Sequence, residues 1–222
     1  MNFYEITLRA MHKLLTDCGE QEYAACIADC LEQWTSNADM APLLQAFSKK
    51  GKFAHFAFEH TVFPTEERNY WTQQLFGGLT AMAMQLAKFA GEGKSVDIRF
   101  IRQHFGHPAE MITGSMCADC QSRQISMADI DRYISMQVIS AAIVDGLEAG
   151  DLTKATEEIM QVKWKDIKAL RDKAQLRALN TNVDVSSGRM PMTVCMKCGG
   201  KNIRPCRFLK SVKELVFVPL SH

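Results

Sequence analysis

Two Cys-x-x-Cys motifs, Cys117-Ala-Asp-Cys120 and Cys195-Met-Lys-Cys198, stand on either side of a strongly helical stretch and restrict how this chain folds more than any other feature. Two thiolates three positions apart on a tight turn grip a tetrahedral ion from one side, and a second such turn completes the all-thiolate shell that zinc accepts. The expected cofactor is therefore Zn2+, with Cys117, Cys120, Cys195 and Cys198 as its ligands. Four thiolates leave no open coordination position, so a zinc held this way is structural. The run from Val194 to Lys201 suits such a knuckle, because the glycine after Cys198 permits the backbone turn that points amides at the sulfurs.

Two other arrangements stay open. His104 and His107 could join Cys117 and Cys120, leaving Cys195, Cys198 and Cys206 for a second ion. Alternatively, all the cysteines are reduced thiols without a metal. A thioredoxin-like redox role fits less well, since neither motif follows a strand in a βαβ pattern.

The chain has 222 residues, 47% of them hydrophobic and 23% charged, which suits one large globular domain or two small ones. No basic segment followed by an apolar run opens it, and no stretch is long and apolar enough to cross a bilayer, so the expected location is cytoplasmic, with no membrane partner. In a reducing compartment eight cysteines are thiols or metal ligands rather than disulfides. Cys26 and Cys30, one helical turn apart with no adjacent third ligand, read as small buried hydrophobes.

Hydrophobic spacing of 3.6 residues dominates the first hundred residues. Ile6, Met11, Leu14 and Leu15 form one stripe that stops at Cys18-Gly19, and Tyr23, Ile27, Cys30 and Leu31 form another. Trp71, Leu75, Leu79, Met82, Leu86 and Phe89 mark a core helix over Glu66–Ala90, interrupted by Gly77-Gly78, which signals a close helix crossing or a kink. Further helices are expected over Val96–Phe105, Met127–Glu148 and Leu152–Leu179, the second of these opened by a capping box, Ser126-Met-Ala-Asp129. Strand propensity is confined to the tail, at Thr193-Val194, Ile203 and Leu215–Val218, with Gly199-Gly200 as the turn. The expected fold is mainly α: a helical domain over residues 1–106, then a helical domain over residues 107–222 ending in a small zinc-ribbon-like β-hairpin.

In residues 10–90, the run Leu14-Leu15, Cys18-Gly19-Glu20 and Tyr23-Ala24, followed by Leu43-Leu44, Phe47 and Gly51-Lys52-Phe53, resembles a bacterial helical domain family of unknown function. The resemblance implies a helical fold and an immunity or defence role. Ser48-Lys49-Lys50-Gly51 stands where that family tends to show Gly-Gly-Met-Gly, and no functional residue is carried over.

No local motif identifies a reaction. His107-Pro-Ala-Glu110 ahead of Cys117-x-x-Cys120 is one residue too long for the His-x-Glu of zinc deaminases, and Met116 occupies the position of their proline. His55, Glu59 and His60 miss the His-x-x-Glu-His metalloprotease order by one residue. Gly93-Lys94-Ser95 ends like a phosphate loop, but Lys88 stands at the position of its first glycine. The expected role is binding rather than catalysis.

Charge divides the chain. Met1–Val162 carries 13 basic against 21 acidic residues, whereas Lys163–Lys213 carries 13 basic against three acidic. Lys163, Lys165, Lys168 and Arg171, with Lys197, Lys201, Arg204 and Arg207 near the second cysteine motif, are the candidate nucleic-acid contacts of what is expected to be a regulatory or defence-related binding protein, the defence part being what the resemblance implies. The alternative is an immunity or inhibitor protein whose acidic amino-terminal half, including Glu20, Glu22 and Asp29, neutralises a protein partner.

Overall fold

Helical periodicity in the front half yields helices close to where the spacing predicts them. In the computed structural model, which describes residues 2–58, 66–105, 111–160, 183–186, 193–210 and 215–218, these are α1 (Phe3–Asp17), α2 (Gln21–Asn37), α3 (Ala41–Ala46), α4 (Glu66–Gly91) and α5 (Ile98–Phe105). The helices α6 (Met127–Ala149) and α7 (Leu152–Met160) follow. Helices make up most of the described residues, so the chain is mainly α. Among the described residues no helix is long and apolar enough to cross a membrane.

The chain divides into two compact units. Unit 1 comprises Met1–His107 and Val138–Val162; unit 2 comprises Pro108–Gln137 and Lys163–His222.

Unit 1 is built around α1 and α4. The Asn2 side chain caps α1 by accepting the Glu5 N–H at 3.2 Å, and Gly19 (φ +80°) turns the chain out of it, as the glycine stop predicts. Leu8, Met11 and Leu15 of α1, Ile27 of α2, and Trp71, Leu75, Leu79 and Met82 of α4 are fully buried. The paired glycines of α4 do different things. A Cβ on Gly78 would lie 2.9 Å from Ile139 Cγ2 and 3.1 Å from Ile143 Cδ1, so this glycine allows the later half of α6 to approach closely; a Cβ on Gly77 would meet nothing within 4 Å.

Unit 2 contains a five-stranded mixed sheet in the order β3-β2-β1-β4-β5. Its strands are β1 (Met111–Cys117), β2 (Arg123–Ser126), β3 (Val183–Ser186), β4 (Ile203–Lys210) and β5 (Leu215–Val218), with β2 and β3 parallel and every other pair antiparallel. The reciprocal cap at the start of α6 is present: Asp129 N–H donates to Ser126 Oγ and Ser126 N–H donates to Asp129 Oδ2, each at 3.1 Å.

The confinement of strands to the tail is corrected by this sheet. β1 and β2 lie where the sequence offers a domain boundary and a cysteine motif, and β3 lies between the helix expected over Leu152–Leu179 and the strand-forming tail. β1 contains Gly114 and has little strand propensity of its own; its ladder with β4, running from Met111 opposite Leu209 to Cys117 opposite Ile203, makes it a strand. Thr193-Val194 is a bend rather than a strand, so Gly199-Gly200 does not join two strands of a hairpin but lies in the segment leading into β4. The helix expected over Leu152–Leu179 is described as far as Met160, and its remainder lies outside the described residues.

Candidate metal centre

The two cysteine motifs fold as two backbone turns at one end of the sheet. The first joins β1 to β2: the Cys117 N–H donates to the Ser122 carbonyl at 3.0 Å, and the Gln121 N–H donates back to the Cys117 carbonyl at 2.9 Å. Gln121 takes φ +61° to close this turn, a left-handed conformation that a non-glycine residue adopts at a cost. The second precedes β4: the Gly199 N–H donates to the Cys195 carbonyl at 2.9 Å, and the Cys195 N–H donates to the Gly200 carbonyl at 2.8 Å. Gly199 has φ +72°, and a Cβ on Gly200 would run into the Asp119 carboxylate and lie 3.2 Å from Cys198 Sγ. Both glycines are therefore needed where the sequence places them.

Backbone and side-chain bonds also tie the turns together. The Ala118 N–H donates to the Asn202 carbonyl at 2.8 Å, and Asn202 Nδ2 donates to Asp119 Oδ1 at 3.4 Å. As a result the Sγ atoms of Cys117, Cys120, Cys195 and Cys198 all lie within 4.8 Å of one another. Cys117 and Cys198 approach to 3.6 Å, as do Cys120 and Cys195. Cys117 and Cys195 are buried, Cys120 is half-buried and Cys198 is exposed.

Neighbouring donors favour the thiolate form, most strongly at Cys195. Gln124 Nε2 donates to Cys195 Sγ at 2.9 Å, Ser122 Oγ lies 3.1 Å from the same sulfur, and the Lys197 N–H reaches it at 3.4 Å. The Cys195 thiol is pulled down to about 5, first by the Ser122 hydroxyl and against desolvation, with help from the Cys198 and Lys197 N–H groups. Cys120 is also lowered, again first by Ser122. Cys198 moves the other way, up to about 12. The Gly200 N–H pulls it down, and the crowding sulfurs of Cys120 and Cys117, together with desolvation, override that pull. Thiolates packed this closely repel one another, and a divalent cation removes that repulsion for all four together.

Cys206 does not belong to this cluster; it is buried in β4 opposite Gly114. The side chains of His104 and His107 lie outside the described residues. Among the expected nucleic-acid contacts, Lys197, Lys201 and Arg204 are exposed on and just after the second turn. Arg207 sits in β4 opposite Thr113, while Lys163, Lys165, Lys168 and Arg171 lie outside the described residues. Of the acidic residues proposed for a protein partner, Glu22 is engaged by Lys52 at 2.8 Å.

Ser122 and Gln124 are the functional residues that sequence reasoning passes over. Gln124 is fully buried, with Oε1 accepting the Met196 N–H at 3.2 Å and Nε2 donating both to Cys195 and to Ser122 Oγ. Neither residue type signals a metal centre by itself; their position after Cys120, with Ser122 closing the first turn and Gln124 on β2, is what brings them to Cys195. No protein-family model matches the chain, and no curated protein or solved structure shows significant similarity to it.

Proposed function

We propose that Cys117, Cys120, Cys195 and Cys198 hold one zinc ion as a structural staple of unit 2. The observation that carries this reading is the convergence of four sulfurs from two separate turns within 4.8 Å. All-cysteine ligation suits a borderline-soft ion that imposes no geometry of its own, and a closed shell provides no position for substrate or water. The chemistry is therefore that of a cross-link rather than of a catalyst. Zinc extracted with the protein at one ion per chain supports the staple, and protein purified without chelator that carries none overturns it.

The stapled unit acts as a non-enzymatic nucleic-acid-binding module in a regulatory or defence setting. Lys197, Lys201 and Arg204 support this: they are exposed on a segment whose backbone the metal would hold rigid, so their charges reach phosphates with little ordering cost. Labelled RNA and DNA titrated against the zinc-loaded protein at several salt concentrations provide the test. Affinity should fall linearly with salt on logarithmic axes, and reversing Lys197, Lys201 and Arg204 to glutamate should flatten that slope by roughly one unit per lost phosphate contact. Binding that ignores both salt and the reversals rules out the module.

A further inference from the structure

The four sulfurs are not equivalent. Cys195 is buried and receives Gln124 Nε2, Ser122 Oγ and the Lys197 N–H, which draw electron density from its sulfur. Cys198 is exposed, and its non-cysteine hydrogen bond among the described residues is the Gly200 N–H at 3.4 Å. With all four sulfurs held as thiolates by the ion, the one that solvent reaches and that few donors quieten is the one an incoming electrophile attacks. The sulfur facing it across the centre is Cys117 Sγ at 3.6 Å, on the other turn.

We propose that Cys198 is a modification site for peroxides and that Cys117 resolves it, so that oxidation exchanges the metal for a Cys117–Cys198 disulfide. For the ion and for the thiolate state of Cys198 this inference rests on the zinc reading above; for the pairing it rests on the 3.6 Å approach of the two sulfurs. The Cys198 thiolate attacks one oxygen of the peroxide, the O–O bond breaks, and Cys198 sulfenic acid forms while the departing oxygen takes a proton from solvent as water or an alcohol. Cys117 sulfur then attacks Cys198 sulfur; the S–S bond forms, the S–O bond breaks, and hydroxide leaves with a second solvent proton as water. Two electrons pass from the two sulfurs to the peroxide. The zinc ion keeps only Cys120 and Cys195, and two thiolates do not retain it. The new bond joins the same two turns, so the staple survives the loss of the metal, and a thiol reductant restores the ligands.

The zinc-loaded protein treated with one equivalent of hydrogen peroxide tests both halves. A chromophoric chelator reports released zinc, a dione trap such as dimedone marks the first sulfenic acid, and peptide mapping after alkylation locates the disulfide. The expected result is dimedone on Cys198, a Cys117–Cys198 cross-link and one zinc released per cross-link, all reversed by dithiothreitol. Cys198→Ser should slow peroxide-driven zinc release about tenfold or more, as expected when the accessible thiolate is removed. Should that variant fail to hold zinc, trapping and mapping on the unmutated protein decide alone. Dimedone on Cys120, or a disulfide within either turn, overturns the inference even if zinc is released. A Cys117–Cys198 cross-link in protein that never carried zinc leaves the modification site standing and removes the zinc reading.

Discussion

Gln124 and Cys195 are joined by a 2.9 Å hydrogen bond from Nε2 to Sγ, and the other end of the same carboxamide accepts the Met196 N–H at 3.2 Å, so one buried side chain fixes both the sulfur and the backbone beside it. Replacing it by methionine keeps the volume and removes both bonds. Gln124→Met should weaken zinc binding by about 10–100-fold, the usual consequence of losing a partner behind a ligand. Gln124→Glu should weaken it at least as much, because a carboxylate would then face a thiolate. Competition against a chromophoric chelator measures both. Equal affinities for the variants and the parent would show that the bond does not orient the ligand.

The two glycines of α4 should respond with opposite signs. Gly77→Ala gains helix propensity with nothing in its way and should stabilise the protein by about 0.5–1 kcal/mol. Gly78→Ala drives a methyl into Ile139 and Ile143, and the resulting overpacking, about 1–3 kcal/mol, outweighs the propensity gain. Urea unfolding of the two variants side by side reads the difference, and a Gly78→Ala protein more stable than the parent would refute the close helix approach.

Helix α2 ends on Ala38 at φ +52°, a left-handed position that glycine usually fills. Ala38→Gly relieves that conformation without removing a buried side chain. The expected gain is about 1 kcal/mol, visible as a higher urea midpoint at unchanged slope.

Buried thiols outside the metal centre set an alkaline limit on stability. Burial raises Cys18 to about 11 and both Cys30 and Cys206 to about 12, from an ordinary value of 9.0. In the unfolded chain these groups lose their protons near the ordinary value, while in the folded protein they keep them. Their contribution is therefore fully present below about pH 9 and is lost progressively as pH rises through 11 to 12. Unfolding free energy should decline with pH across that window, and Cys18→Ala, which removes one titrating group, should make the decline shallower. The same three thiols should resist iodoacetamide at neutral pH until denaturant is added.

Much of the helical structure was legible because its signals are local. The spacing of Trp71, Leu75, Leu79 and Met82 predicts a buried helical face, and all four are buried; Ser126 and Asp129 predict a reciprocal cap, and both bonds form. The four-cysteine grouping was legible for the same reason, since each turn is written in a four-residue motif. The sheet was not. Met111–Cys117 becomes a strand through pairing with residues some ninety positions away, from Met111 opposite Leu209 to Cys117 opposite Ile203, and no short-range pattern encodes such a partner. Gln124 and Ser122 escaped notice because a residue beside a ligand in space needs no distinctive spacing in sequence.

The division of the chain into units has a consequence for how the protein is made. Unit 1 needs Val138–Val162 in addition to its first 107 residues, and unit 2 needs segments from both sides of that insertion. During synthesis neither unit is complete when the ribosome reaches residue 137, and Cys117-Ala-Asp-Cys120 waits with its thiols unmatched until Cys195 and Cys198 emerge. No single cut in the backbone separates the two units intact. A fragment ending before Cys195 would display half a metal site and an unpartnered β1 edge, a state prone to capture the wrong metal or another chain's strand.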